Sequence, residues 1–432
     1  MTLENFPTTR PAFTANFARS QQMPPQFTFS RATPGTNPSP GTVTGPNKIS
    51  LSDYNTPRFA WKDGKCQGLL IEESRTNEMQ HSQDFSNAYW GKVNVTLSAD
   101  VTIAPDGTTT ADSILEQNVA NVQHGIYGPN LTGNTNVVQS IYVKPNGREN
   151  VSLRWYRRTD EWRVITFNLT GNGSVTQDLK SSNTFTSTGE SITACGNGWY
   201  RISSAMSMVS TINTSSLILD HASTSTPTLD SQYGFENPYT PDTTKGYYIW
   251  GAQVEVAASF PTSYIPTSGA TATRAQDILD ITGTDFSSFW NSSAGTVVTS
   301  VEPIDTGHLW SIWSGQNRRI VFKNNGGTPR FENTFITNMT GTTYTGGVIG
   351  PSGDVVNVSI KNAVSFSTGY LEGANDGVLA TVPSTKPDSM PTVTAWNFFK
   401  NRSGGSLSSG YLKRIDYYPT TVTTDALEAL TQ

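Results

Sequence analysis

At 432 residues the chain exceeds what one ordinary hydrophobic core organises, so two or three domains are expected. Only 15% of the residues are charged, with Ser, Thr, Asn and Gly in their place, a composition that suits short strands and turns and disfavours long helices. A net charge of -5 without any Lys/Arg run gives no footing for a nucleic-acid partner, and no apolar run is long enough for membrane insertion.

Residues 1–57 are expected to form an extended docking arm. Prolines at 7, 11, 24, 25, 34, 38, 40 and 46 forbid a helix and most sheet pairing. Phe6, Phe13, Phe17, Phe27 and Phe29 are anchors through which such an arm orders, either on a partner or on its own body. The first residues, MTLENFPTTR, lack the apolar core of a signal peptide, so synthesis in the cytoplasm of the producing cell is expected.

From Arg58 the stretch RFAWKDGKCQGLLIEESRTN reads as a strand, a turn at Asp63-Gly64 and a second strand. Short strands follow at roughly ten-residue spacing, among them Val138–Val143, Val151–Tyr156, Trp162–Leu169 and Trp199–Met208. The series ends in YYIWGAQVEVAASFPTSYIPTSGATATR, where an alternating aromatic strand through Tyr248 and Trp250 gives way to Pro261, Pro266 and Gly269. Residues 58–276 are therefore expected to be a jelly-roll β-sandwich. Residues 277–432 repeat the alternation at Val297–Val301, Leu309–Trp313, Tyr344–Ile349, Val393–Phe399 and Gly410–Tyr418, then close in a short helix capped by Thr424 or Asp425. The expected fold is all-β, an extended arm followed by two antiparallel β-sandwiches.

Two distant cysteines, Cys66 and Cys195, exclude a disulfide framework, and His81, His124, His221 and His308 show no metal-ligand spacing. Asp84, Asp112 and Glu255 near strand ends are the acids that a structural calcium ion would use, although no compact Asp-X-Asp-X-Asp-Gly loop accompanies them. No cofactor is expected. There is no Gly-X-Ser-X-Gly elbow and no short-repeat β-helix pattern, which leaves a glycan hydrolase as the minor reading.

The most function-like stretch is VSLRWYRRTDEWRVITFNL. Trp155, Tyr156 and Trp162 lie beside Arg157 around a turn, where aromatic faces stack on sugar rings and guanidinium donors reach hydroxyls or carboxylates. The competing reading has alternate residues packing inward and the arginines pairing with Asp160 and Glu161 or with a neighbouring subunit. In GHLWSIWSG, Trp310 and Trp313 are three apart and point to opposite faces of a strand, so one of them at most is a surface platform; Trp310 is the candidate. Trp199, Tyr200, Tyr248 and Trp250 are expected in the core.

Several stretches resemble a module of phage and prophage virion proteins. FTFSRAT, GLLIEESRTN, DFSNAYW, APDGTTTADSI, GNGWYRIS and IWGAQVE followed by SYIPTSGATATRAQD occur in the expected order over roughly residues 25–280. The closing GYLKRIDYYP and LEALT are similar to the last strand and helix of concanavalin A-like domains. The resemblance implies a virion structural protein with sandwiches similar to carbohydrate-binding jelly rolls, and it supplies no catalytic motif. The expected function is a non-enzymatic tail-fibre appendage on the particle exterior, a homo-oligomer (a trimer first) that contacts host surface glycan and meets other virion proteins through its arm. The alternative is a capsid decoration or head-fibre protein anchored by that arm.

Overall fold

Alternating β-branched, aromatic and hydroxyl residues build strands throughout, and the described helices are three short ones at Phe17–Ser20, Gly283–Ser287 and Thr424–Thr431. The computed structural model describes residues 10–36, 51–52, 55–62, 65–131, 136–208, 214–215, 217–314, 318–324, 329–332, 357–379, 390, 392–400 and 408–432. The turn at Asp63-Gly64, the strand expected at Tyr344–Ile349 and the anchor Phe6 lie outside these residues.

Two sandwiches are present, but they do not follow one another along the chain. The first sheet of the outer sandwich runs Val378–Leu379, Tyr370–Asn375, Ile360–Ser367, Ala294–Pro303, Gly410–Tyr418, Lys65–Ile71 and Arg58–Lys62, with Phe13–Asn16 also paired to Gly410–Tyr418. Its second sheet runs Thr28–Ser30, Ile278–Thr282, Ala395–Phe398, Gly307–Ser314, Arg318–Asn324 and Pro329–Glu332. Both expected boundaries at the N-terminal side are thereby corrected. The described part of the arm is not a free docking device: Phe13, Phe17 and Phe27 are buried in one cluster with Leu69, Trp310, Trp396 and Ile415. The hairpin Arg58–Ile71 likewise belongs to this C-terminal sandwich, because Leu69, Leu70 and Ile71 pair with Leu412, Tyr411 and Gly410. Gly68 allows that approach, since a Cβ there would lie 2.4 Å from the Leu412 carbonyl oxygen and its φ is +117°. The closing helix is capped by Thr423, whose hydroxyl accepts from the Ala426 N–H at 3.3 Å, one residue before the expected caps.

The other sandwich is inserted between these two parts. One sheet runs Phe185–Gly196, Trp199–Met208, Asn136–Asn146, Gly246–Val256, Ala111–Glu116 and Val95–Thr102, so the strand with Tyr248 and Trp250 is central as expected. The facing sheet runs Ser174–Lys180, Glu161–Asn168, Asn150–Arg158, Ile218–Ala222, Gly125–Tyr127 and Gly91–Val93. Ile141, Val143, Leu153, Trp155, Ile165, Phe167, Ile249 and Val254 fill the space between the sheets. Cys66 and Cys195 form no disulfide.

The chain passes out and back through a two-stranded ribbon, Arg75–Asn77 against Ala272–Arg274. At its base sits a buried ionic cluster. Asp277 binds Arg31 at 3.1 Å, Arg58 more closely still, and the Glu72 N–H at 2.9 Å. Glu72 pairs with Arg58 at 2.9 Å and accepts from the Ser263 N–H at 2.8 Å and its hydroxyl at 2.6 Å. The Arg274 Nη2 donates to the Glu73 carbonyl at 2.7 Å. Burial alone would push the Glu72 carboxyl up, but Arg274, Arg58 and the Ser263 donors outweigh it and hold the group at about 2.

Two outcomes follow from this architecture. Phe17→Ala, within a supposed arm, is expected to lower the unfolding free energy by about 3–5 kcal/mol in denaturant titrations; an unchanged midpoint would show that the segment does not carry the core. Glu72 ionises more readily folded than unfolded, so its stabilisation is complete above the ordinary carboxylate value of 4.5 and drains away as pH falls towards about 2. Wild-type protein should lose on the order of 3 kcal/mol from this group across that window, and Glu72→Gln should start less stable with a flatter profile. An equally steep profile in the variant would place the acid sensitivity elsewhere.

Candidate functional site

In the strand Asn150–Arg158, Val151, Leu153 and Trp155 face the core, which puts Ser152, Arg154 and Tyr156 on the outer face of their sheet. Antiparallel register sets Trp162 opposite Tyr156, Val164 opposite Arg154 and Thr166 opposite Ser152. This outer face is covered by the segment 223–241, which doubles back on itself: the Asp230 N–H donates to the Phe235 carbonyl at 2.8 Å and the Asn237 N–H to the Thr228 carbonyl at 2.9 Å.

The tip of this flap is fastened to the sheet by three donors. The Trp162 Nε1 donates to the Ser231 carbonyl at 3.0 Å, the Arg154 Nη1 to the Tyr233 carbonyl at 2.7 Å, and the Asp160 N–H to the Gln232 carbonyl at 2.9 Å. Gly234 lies on the Trp162 ring, where a Cβ would come within 2.6 Å of ring carbon, and its φ is +77°. Arg154 is itself held by Asp220 at 2.5 Å, whose other oxygen accepts from Gln123 at 2.8 Å.

The result is a row of three rings at the flap tip. Tyr156 and Tyr233 have centroids 6.2 Å apart, and Tyr233 and Phe235 are 6.2 Å apart and nearly parallel at 15°. The Arg154 guanidinium lies 5.6 Å over the Tyr156 ring. Tyr233 is 41% exposed while its backbone is tied down, so an apolar ring face is presented to solvent at little further conformational cost. Beside the row, Glu161 bridges Arg157 at 2.6 Å and Arg158.

Of the residues singled out from sequence, Tyr156 and Arg157 are at this place, Tyr156 half-buried within the row and Arg157 paired with Glu161. Trp155, Trp162 and Trp310 are not surface platforms. Trp155 is fully buried and its Nε1 donates to Ser204 at 2.8 Å. Trp162 is 7% exposed beneath the flap. Trp310 is fully buried in the outer sandwich, donating to Thr299 at 3.2 Å. The acids considered for calcium are used locally: Asp112 accepts the N–H groups of Phe85 and Asp100, Glu255 the N–H and hydroxyl of Thr262, and Asp84 those of Asn87 and Ser86. Burial pushes Asp112 up to about 6. Among the described residues no group of three His, Cys, Asp or Glu converges as a metal site.

Sequence reading missed Tyr233 and Phe235. The signal was the pattern SQYGFEN inside a stretch from Ala222 to Gly246 that lacks strand alternation, since a long structured loop is where binding groups gather.

No family model matches the chain, and a search of curated proteins returned no relative. Among solved structures, the Ruminococcus gnavus IT-sialidase CBM40 bound to alpha2,3 sialyllactose aligns at 18% identity with a TM-score of 0.30, over 34% of this chain and 86% of that one. Mouse laminin alpha1 chain domains LG4-5 align at 9% identity and 0.23, over 67% and 84%. Trypanosoma rangeli sialidase aligns at 10% identity and 0.25, over 89% and 64%. Likenesses of this size carry nothing about the site, which rests on the side chains described above.

Thermal and denaturant unfolding separate the two classes of residue. Trp155→Ala is expected to cost about 3–5 kcal/mol through a core cavity, and Arg157→Ala at most about 1 kcal/mol. Near-neutral behaviour of Trp155→Ala would contradict its place between the sheets.

Proposed function

We propose that the chain is a non-enzymatic structural protein of a phage particle, an exterior appendage of the tail-fibre type that contacts host surface glycan through the inserted sandwich. The motif series resembling virion modules supports the particle assignment. The row Tyr156, Tyr233 and Phe235, with Tyr233 held open by the flap, supports the glycan contact and is the observation that carries it. Ring faces of this kind match the C–H faces of sugars, and the flanking arginines and Glu161 match their hydroxyls.

A single exposed row gives weak binding. Repetition in a homo-oligomer, with a trimer as the simplest case for a fibre, multiplies such contacts into avidity. In this reading the outer sandwich is the mount and the inserted one is the reader. The commitment of residues 10–36 to the chain's own sheets weighs against an arm-anchored shell protein, because that part of the arm is already occupied.

Tyr233→Ala keeps the carbonyl that accepts from Arg154, so stability should change by no more than about 0.5 kcal/mol. Binding to purified host surface polysaccharide should weaken roughly ten-fold, and particle adsorption with it. Unaltered adsorption, with the protein spread over the capsid lattice, would move the function to shell decoration.

A further inference from the structure

In the connection that precedes the strand Asn150–Arg158, eight residues before Tyr156 and so roughly 26 Å away along an extended chain, Arg148 lines an open cleft of about 510 Å3 together with Asn118, Thr240, Asp242, Thr243 and Lys245. Arg148 is rigidly held there. Its Nε donates to Glu116 at 2.5 Å and its Nη2 to the other Glu116 oxygen at 3.0 Å, with the Thr240 carbonyl 3.4 Å from Nη2. Its guanidinium lies 5.7 Å over the Tyr239 ring. Glu116 is buried and also accepts the Asp242 N–H at 2.5 Å, with the His221 Nδ1 at 3.3 Å. Burial would raise that carboxyl, but His221, Arg148 and Asp242 hold it well below the ordinary carboxylate range.

The free capacity in the cleft lies with donors. Asp242 has spent its carboxylate on the Thr244 N–H at 3.0 Å, the Thr244 hydroxyl at 2.7 Å and Lys245 at 3.2 Å. Arg148 has fixed Nε and Nη2 and keeps Nη1 outside those bonds; the Lys245 ammonium, paired with Asp242, keeps its remaining N–H groups, and the exposed Asn118 amide stands beside it. No aromatic ring lines the cleft, so recognition there falls to hydrogen bonds, and charge-assisted ones are about twice as strong as neutral ones. A preorganised guanidinium edge beside an ammonium is a donor site for a carboxylate.

We propose that this cleft binds the carboxylate of an acidic saccharide, a hexuronate unit of the glycan chain whose other end crosses the aromatic row. The inference rests on the glycan reading above and narrows it to acidic polymers. Arg148, its fork locked on Glu116, meets the ligand through Nη1, and Lys245 and Asn118 supply the adjustable donors.

The test is amide and guanidinium NMR of the full chain titrated with sodium glucuronate and, separately, glucose. Glucuronate should shift the Arg148 Nε–H, the Asn118 side-chain amide and the Lys245 backbone amide in a saturable way, and glucose should not. The double variant Asn118→Ala, Lys245→Ala, which leaves the Glu116 network intact, should weaken glucuronate binding roughly ten-fold. Tyr233→Ala should bind glucuronate at the cleft as wild type does, so a failure of the aromatic row is read separately in its polysaccharide binding. Absence of shifts, equal shifts with glucose, or wild-type affinity in the double variant would overturn the proposal.

Discussion

The whole architecture depends on how the chain leaves one sandwich and re-enters it. Glu72 and Asp277 are 205 positions apart, yet the backbone N–H of the first donates to the side chain of the second in a buried cluster with Arg31 and Arg58. Buried charges are tolerated only when paired and fully hydrogen-bonded, so the cluster permits one arrangement of its chain passages and punishes the loss of any member. The N-terminal segment, the outgoing strand, the Ser263 turn and the returning strand are fixed together by it. This explains why the most conspicuous motifs in the sequence, FTFSRAT, GLLIEESRTN and SYIPTSGATATRAQD, contribute Arg31, Glu72, Ser263, Arg274 and Asp277. They are the hardware of an insertion.

With the junction fixed, the inserted sandwich is free to specialise. Its core is sealed by Trp155, Phe167 and Ile249, and its outer sheet face is closed by a flap whose tip is fastened through the backbone carbonyls of Ser231, Gln232 and Tyr233. Because the tip is fastened to the sheet through its main chain, the Tyr233 ring is left open to solvent beside Phe235. The cleft at Arg148 follows the same logic, with a buried carboxylate orienting a cation at the surface.

Much of this was legible in the sequence and some was not, for definite reasons. Period-two alternation located most strands, including the central Gly246–Val256, and the phenylalanines at 13, 17 and 27 announced an arm that docks. Alternation is silent on which sheet a strand joins, so it points Arg58–Ile71 to the neighbour in sequence and not to its partner Gly410–Tyr418. Parity separates Trp155 from Tyr156, but only the cover over the outer face decides that Trp162 is hidden and Tyr156 half-open. That cover comes from residues 223–241, a contact over some seventy positions that no local pattern encodes, as the Trp162–Ser231 bond shows with its separation of 69.

The central claim is that the molecule holds host glycan and leaves it intact. The most direct measurement incubates the full chain with purified host surface polysaccharide and follows two signals together, the ring resonances of Tyr156 and Tyr233 and the reducing ends in solution. The expected result is saturable perturbation of those rings with a constant number of reducing ends. Rising reducing ends, or rings that ignore the polysaccharide, would contradict it.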